Sequence, residues 1–362
     1  MRIVVLAGGL STERDVSISS GILVADALRK KGHEVVLLDV FTGYEENICD
    51  IDALFKNNYS FVDKINVGEK ISDISEVKEN RLDKSDRFIG SNVIEICSYA
   101  DITFLALHGG EGENGQIQAA FDLLGVKYTG SGYLGSALGM HKGLTKSVLV
   151  QNKVLTPKGE VFKSAQEAKK WNTFPCVVKP CSGGSSVGIT AANNKEEYVK
   201  SVKEAFGYGE NEIVVEQFVK GREFSVGLLG GRALPPIEII PKSGFYDYAA
   251  KYQAGATLEI CPADIDEATD KKLRESAEAA YKALYLENYA RIDFILDENG
   301  EAYCLEANTL PGMTPTSLLP QEAAVEGLSY ADLCESIIAI SLNKTSILES
   351  DDLAIIFLVI SE

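Results

Sequence analysis

A continuous apolar run, RIVVLA at residues 2–7, ends in Gly8-Gly9; a helical pattern follows from Ser19 to Lys31, and HEVVLLDV supplies a second apolar run. Runs that are apolar at nearly every position mark buried strands rather than half-exposed ones. A β-α-β unit opening a parallel sheet is therefore predicted. Residues 42–95 are polar and weakly periodic, with short helical pieces at best, before ADITFLAL at 100–107 restores the buried-strand pattern. The segment between reads as an elaboration of the same unit.

From Gly125 the pattern changes. GVKYTGSG reads as a short strand and turn, residues 135–152 as one helix, and Pro157 as a break. Strand-like runs PCVVKP and SVGIT flank CSGGS; a charged helix over Lys195–Phe206 leads into the strand EIVVEQFV. Beyond it lie strands in REFSVGLL and PPIEII, a Gly/Tyr-rich loop, a long helix over Glu267–Leu284 and a hairpin. The expected division is an α/β unit over 1–125, a small α+β lobe over 126–215, a second lobe over 216–343, and a tail of unassigned role over 344–362. No repeat or low-complexity tract is present.

The segment ARIDFILDENGEAYCLEANT carries the most specific chemistry. Asn299-Gly300 is the favoured pair for a two-residue type I′ turn. That turn would set Glu298 opposite Glu301, Asp293 opposite Glu306 and Arg291 opposite Asn308, with Arg291, Asp293, Glu306 and Asn308 on one face because strand side chains alternate. The other face would be the apolar one, with Ile292, Phe294, Leu305 and Ala307. Opposed carboxylates disfavour pairing by a few tenths to about 1 kcal/mol, so a compensating cation is expected. An oxygen-only donor set suits Mg²⁺ or Mn²⁺, completed by water and phosphate oxygens. A solvent-facing hairpin with merely hydrated acids is the plainer alternative. CSGGSSVG supplies unobstructed backbone N–H groups suited to phosphate, with Lys179 just before it; by itself such a loop is more often a plain turn.

Composition narrows the field. With 45% hydrophobic and 24% charged residues the chain is an ordinary globular protein, and its formal charge of −18 argues against nucleic-acid binding. Seven cysteines form no C-x-x-C pair and only three histidines are present, so reduced structural thiols of a cytoplasmic protein are expected. The N-terminal run lacks the features of a signal peptide. The longest apolar stretch, 353–360, is far short of the ~20 residues of a membrane helix. Gly130, Gly132 and Gly135 spell G-x-G-x-x-G, but no acidic residue follows at the distance a dinucleotide ribose requires, the nearest being Glu160. No G-x-x-x-x-G-K-[ST] occurs.

Seven segments, in order, carry a resemblance over most of residues 1–343: GGLSTERDVSISSG, LHGGEGENGQIQ, YTGSGYLGSALGMHK, VVKPCSGGSSVG, FYDYAAKY, ARIDF and LEANTLPGMTPTSLLP. The chain resembles the D-alanine:D-alanine ligases of the ATP-grasp superfamily. The resemblance implies an ATP-grasp fold preceded by a parallel-sheet α/β domain, with ATP clasped between the second and third domains and D-alanine bound where all three meet. It implies that Lys142 and Lys179 contact nucleotide phosphates, that the loop carrying Gly184, Ser185 and Ser186 folds over them, and that Glu216, Gln217 and Val219 hold adenine and Glu223 the ribose. Asp293, Glu306 and Asn308 match the ligands of two Mg²⁺ or Mn²⁺ ions. Glu13 matches the acceptor of the first ammonium, linked to Ser185 and Tyr252, with His108 nearby. Arg291 and the Gly312 N–H match an oxyanion hole, and Ser317 and Leu318 a carboxylate site. Lys251 and Tyr252 match a closing loop, with Lys251 also facing the nucleotide.

The implied reaction is ATP-dependent formation of D-alanyl-D-alanine through an acyl phosphate, for cell-wall precursors, in a homodimeric cytoplasmic enzyme. Two departures stand out: His141 where many relatives have Asp, and Gly183-Gly184 where bulkier residues are common. Rival readings are a D-alanine:D-serine or D-lactate ligase, another carboxylate–amine ligase, and a silent ATP-binding homologue. YDYAAKY resembles the D-alanine-selective version.

Overall fold

The computed structural model describes residues 1–64, 74–183, 188–209, 211–241 and 257–343. Strands β1 (Arg2–Ala7), β2 (Glu34–Asp39) and β3 (Ile102–Leu105) form a parallel sheet in the order β2-β1-β3. Ile3, Val4, Val5 and Leu6 are fully buried, which explains why their run does not alternate.

The first helix begins at Arg14, not Ser19, and runs to Lys30. Its first turns hide from a hydrophobic pattern because their buried positions are polar. Ser17 donates to the Ala106 carbonyl at 2.6 Å and accepts from the Gly8 N–H at 2.9 Å. Arg14 donates to the Gly9 carbonyl at 2.7 Å and pairs with the fully buried Asp39. These bonds tie the carboxyl ends of the strands together, where ligands bind in open parallel sheets.

GVKYTGSG forms no strand; it makes a single parallel bridge, Thr103 to Tyr128, before Gly130 turns the chain at φ +96°. The helix expected over 135–152 is two, Tyr133–Met140 and Lys142–Gln151, broken at His141. The His141 backbone is extended (φ −95°, ψ 92°) and its Nδ1 accepts the Leu144 N–H at 3.2 Å, capping the second helix.

The second sheet is four-stranded and antiparallel, in the order β4-β7-β5-β6: β4 (Gly159–Phe162), β5 (Cys176–Pro180), β6 (Thr190–Ala192) and β7 (Ile213–Gln217). Of the expected strand SVGIT only Thr190 lies in β6; Ser186 and Val187 fall outside the described residues. The helix Lys195–Gly207, capped by Asn194, packs Tyr198, Val202 and Ala205 on Cys176, Val178 and Val215.

The third sheet comprises β8 (Gly221–Leu229), β9 (Arg232–Ala233), β10 (Ile237–Pro241), β11 (Thr257–Ile260), β12 (Tyr289–Asp297) and β13 (Ala302–Asn308). Its order is β11-β10-β8-β12-β13, with β9 on β8. The helix Glu267–Ala283 buries Leu273, Ala277 and Ala280 against Phe224, Val226, Ile292 and Phe294. The helix Tyr330–Leu342, last among the described residues, returns to the first sheet: Leu333, Cys334 and Ile337 join the core of Leu28 and Val5, and Lys31 pairs with Asp332 at 2.6 Å and Glu335 at 2.9 Å.

The G-x-G-x-x-G glycines serve packing. A Cβ on Gly135 would sit 2.4 Å from the Tyr285 carbonyl oxygen, backbone that has no flexible end to move aside. Although alanine favours a helix over glycine by ~1 kcal/mol, Gly135→Ala is expected to destabilise the fold by about 1–3 kcal/mol through overpacking. The check is a lower urea midpoint at unchanged slope; an unaltered or raised midpoint would contradict it.

Candidate active site

The hairpin of β12 and β13 reaches the expected pairing by an unexpected route. Gly300 N–H donates to the Asp297 carbonyl and Asp297 N–H to the Glu301 carbonyl, both at 3.0 Å, so the loop is residues 298–300 with Gly300 left-handed at φ +74°. This is a three-residue turn, not the two-residue type I′ turn that Asn-Gly suggests. The longer loop shifts the register by one, pairing Leu296 with Ala302, Ile295 with Tyr303 and Phe294 with Cys304.

An irregularity between Asp293 and Phe294 then gives β13 one extra residue, Leu305, which restores Asp293 opposite Glu306 and Arg291 opposite Asn308. The bulge re-aims a side chain. Leu305 leaves the buried face expected for it and joins Asp293, Ile295 and Glu306 in a cavity wall, while Cys304 takes the fully buried place.

That cavity, about 580 Å³, lies between the second and third sheets. Lys179, Glu216, Gln217, Val219 and Glu223 all line it, with Asp293 and Glu306 at its floor. Val177, Ile189, Ile239, Ile295 and Leu305 supply apolar walls. Glu216 is 3% exposed and binds two ammonium groups, Lys146 at 2.8 Å and Lys179. Burial alone would raise its pKa, but the two lysines hold it below the ordinary glutamate value. Burial works against the Lys179 charge as well, yet Glu216, Glu306 and Glu223 keep its pKa raised.

A second cavity of about 440 Å³ is lined by Glu13, His108, Lys142, Arg291, Glu306, Asn308, Gly312, Ser317 and Leu318. Lys142 thus faces this cavity and not the first, donating to the Gly183 carbonyl at 2.7 Å. Gly184, Ser185, Ser186, Lys251 and Tyr252 lie outside the described residues. Glu306 belongs to both walls.

His108 follows β3 and is 7% exposed. Its Nδ1 lies 3.0 Å from the Leu310 carbonyl, which can only accept, so Nδ1 carries the proton and Nε2 accepts from Ser20 Oγ at 3.3 Å. Burial lowers its pKa and Arg291 adds to the effect, so the imidazole is neutral near pH 7.

Arg291 donates to both oxygens of Asp293, through Nε at 3.0 Å and Nη2 at 2.9 Å. Asp293 also accepts from Ser225 at 2.8 Å and Asn308 at 3.1 Å. The donor set fits a hard divalent cation: two carboxylates, plus an amide whose oxygen is turned away from Asp293. A Cβ on Gly312 would sit 2.9 Å from Ser317 Oγ and would have to displace that hydroxyl.

Two carboxyls not singled out from the sequence complete the arrangement. Glu113 accepts from the N–H groups of Gly109 at 2.9 Å and Leu310 at 3.2 Å, fastening the loop after β13 to the first unit. Burial, with Glu13 nearby, pushes its pKa up to about 7. Glu113 lies within LHGGEGENGQIQ, where nothing in the sequence distinguishes it from Glu111.

Glu322, fully buried on the helix Leu318–Val325, accepts the Gly227 N–H at 3.0 Å. It fills a gap in the ladder: β10 pairs with β8 only as far as Ser225, and β9 pairs with it only from Leu228. Among the described residues its Oε2 has no hydrogen-bond partner. A glutamate one turn after Leu318, on the apolar side of its helix, was the available signal.

A family model described as D-ala D-ala ligase N-terminus matches residues 2–131, and one described as D-ala D-ala ligase C-terminus matches residues 142–339. Together they span both cavities, and the class so defined is that of the ATP-grasp ligases. The D-alanine–D-alanine ligase of Pediococcus pentosaceus is 43% identical over 93% of this chain and 97% of its own. That of Lacticaseibacillus casei is 45% identical over 93% and 95%. Two solved structures of the Bacillus anthracis D-alanine–D-alanine ligase, the second complexed with ATP, superpose with TM-scores of 0.72 and 0.71 at 32% and 29% identity, over 94% of this chain and 97% of theirs. The chain belongs to the D-alanine–D-alanine ligase family.

Burial raises the Glu322 pKa well above the ordinary value. The folded state therefore binds a proton that the unfolded chain releases near pH ~4.3, and folding stability falls as pH climbs from there toward the folded pKa. Glu322→Gln removes that penalty. The variant's stability relative to the parent is expected to rise from pH 4.5 to 8 in urea titrations; a difference independent of pH would refute the assignment.

Proposed function

We propose that this protein joins two D-alanine molecules, with ATP converted to ADP and phosphate. The observation that carries this reading is Glu306 in the walls of both cavities, which brings the phosphate end of a nucleotide in one against a small acid in the other. We read the chain as an N-terminal unit over 1–125, which receives the first D-alanine, and two nucleotide-clasping lobes over 126–215 and 216–343.

A carboxylate is a poor electrophile, because an amine cannot expel oxide from it. Phosphorylation of the first D-alanine by the ATP γ-phosphoryl group makes an acyl phosphate; the second amine, once deprotonated, attacks its carbonyl, and phosphate leaves with the C–O electron pair. Glu13 holds the first ammonium, beside the neutral His108, which adds no competing positive charge. Lys179 and Lys142 hold phosphate oxygens, with Gly184, Ser185 and Ser186 as further donors.

Gln217 and Val219, with Glu216, border the adenine, and Glu223 the ribose. Asp293, Glu306 and Asn308 would hold two Mg²⁺ or Mn²⁺ ions, whose charge offsets that of the phosphates. Arg291 and the Gly312 N–H, which line the same cavity, would form the oxyanion hole for the carbonyl under attack. At the start of the helix Leu318–Val325, the Ser317 hydroxyl and the Leu318 N–H would hold the second carboxylate. Lys251 and Tyr252 complete the cover that excludes water.

No helix among the described residues is long and apolar enough to cross a membrane. The net charge of −18 gives nucleic acid no purchase, and we place the enzyme in the cytoplasm as a homodimer.

Incubation with ATP, Mg²⁺ and D-alanine should release phosphate and yield the dipeptide by mass spectrometry. Silence with D-alanine, or preferential incorporation of D-serine or D-lactate as second substrate, would overturn the proposal. Arg291→Met is expected to lower kcat by about 10²–10³-fold, the scale for one oxyanion donor, with KM for ATP little changed. An unaltered kcat would remove Arg291 from the chemistry.

A further inference from the structure

Outside both cavities, three side chains far apart in sequence converge: His141, Cys181 and Glu212 place one ligand atom each within 4.8 Å of one another. Each is positioned by structure already described. Cys181 and Glu212 adjoin the paired ends of β5 and β7, where Pro180 faces Ile213 and the Cys181 N–H donates to the Glu212 carbonyl at 3.2 Å. His141 is fixed at the break between two helices, its Nε2 lying 3.5 Å from Glu212 Oε2. Gly143 packs beside them: a Cβ there would stand 2.6 Å from Val161 Cγ2, 3.3 Å from the imidazole Cε1 and 3.5 Å from Cys181 Sγ.

We propose that His141, Cys181 and Glu212 form a binding site for a thiophilic divalent cation of the zinc class, separate from the all-oxygen hairpin. One thiolate, one imidazole and one carboxylate are a donor set of the borderline-soft kind that zinc prefers and magnesium does not, with a fourth position left to water. The two ligand charges balance the dication.

Binding requires Cys181 to release its thiol proton to solvent as the S–metal bond forms. The imidazole stays neutral: its proton moves from Nε2 to Nδ1, which exchanges the Leu144 cap for coordination at Nε2. Lys163, 3.3 Å from the other Glu212 oxygen, remains as an outer partner orienting the carboxylate.

The location gives the site its consequence. The Cys181 carbonyl accepts the Lys142 N–H at 2.8 Å, and Lys142 reaches Gly183. A cation here would clamp the start of the Lys142–Gln151 helix to the phosphate-loop end of β5. Occupancy would therefore alter ATP binding through Lys142 without touching substrate.

Cobalt(II) is the probe, because thiolate ligation gives a near-ultraviolet charge-transfer band that oxygen ligands do not. Titration of the reduced full-length protein, with Mg²⁺ in excess to occupy the hairpin, should saturate this band at one equivalent, and Zn²⁺ should displace it. Cys181→Ser should abolish the band; His141→Asn and Glu212→Gln should each weaken Zn²⁺ affinity at least tenfold in chelator competition. Circular dichroism establishes that each variant is folded, and either of the latter two decides the matter if Cys181→Ser is not. No band in the parent protein, or a band that survives in Cys181→Ser, overturns the proposal, as does unchanged Zn²⁺ affinity in folded His141→Asn and Glu212→Gln.

Discussion

The site depends on one register. Asp293 must stand opposite Glu306 and Arg291 opposite Asn308, and in a ladder with period two a slip of one residue turns every side chain to the other face. The three-residue turn at 298–300 would cause that slip at the acidic end of the hairpin. The extra residue at Leu305 cancels it. The two irregularities are coupled, and their joint product is a face that carries three oxygen donors and one guanidinium. The same bulge sets Leu305 in the wall of the 580 Å³ cavity, so one local distortion shapes both the carboxylate pair and an apolar wall.

Around this hairpin, loops are held by buried polar groups rather than by packing alone. His108 and Glu113, from the segment after β3, grip the backbone of Leu310 through its carbonyl and its N–H. Arg14 and Asp39 lock the strand ends beside the helix start that carries Glu13. Glu322 bonds a β8 N–H left over between two partner strands. In a low-dielectric interior such bonds are geometrically demanding, because an unmade one leaves a desolvated group without compensation. That expense suits a site assembled from two units, whose donors must be held to fractions of an ångström. Glu322 itself is only half satisfied, its second oxygen having no hydrogen-bond partner among the described residues.

Much of this was legible in the residues. Continuous apolar runs located β1, β2 and β3 because those strands are buried on both sides, and alternation located the face of β12. Legibility failed where a polar residue took a buried position: Ser17 and Arg14 hide the first helical turns because one bonds the backbone of Gly8 and Ala106 and the other the Gly9 carbonyl and the Asp39 carboxylate. It failed at His141, where a side-chain cap divides one apparent helix. At Leu305 it failed again, since a bulge depends on how the neighbouring turn closes and not on the identity of the bulged residue. Asp293 and Glu306 were found opposite one another although the turn used to pair them was wrong, because two unforeseen irregularities offset each other. Glu113 was not readable at all: its distinction from Glu111 is a matter of which one faces Leu310.

The return of the helix Tyr330–Leu342 to the first sheet has a consequence for biosynthesis. The core around Val5 and Leu28 is finished by Leu333, Cys334 and Ile337, contributed from the far end of the described chain. At about 5–20 residues per second, a ribosome that has released Lys31 needs roughly 15–60 s more to deliver Asp332. Throughout that interval the nascent N-terminal unit shows an uncovered apolar surface, and its core closes only after Leu333, Cys334 and Ile337 have been delivered.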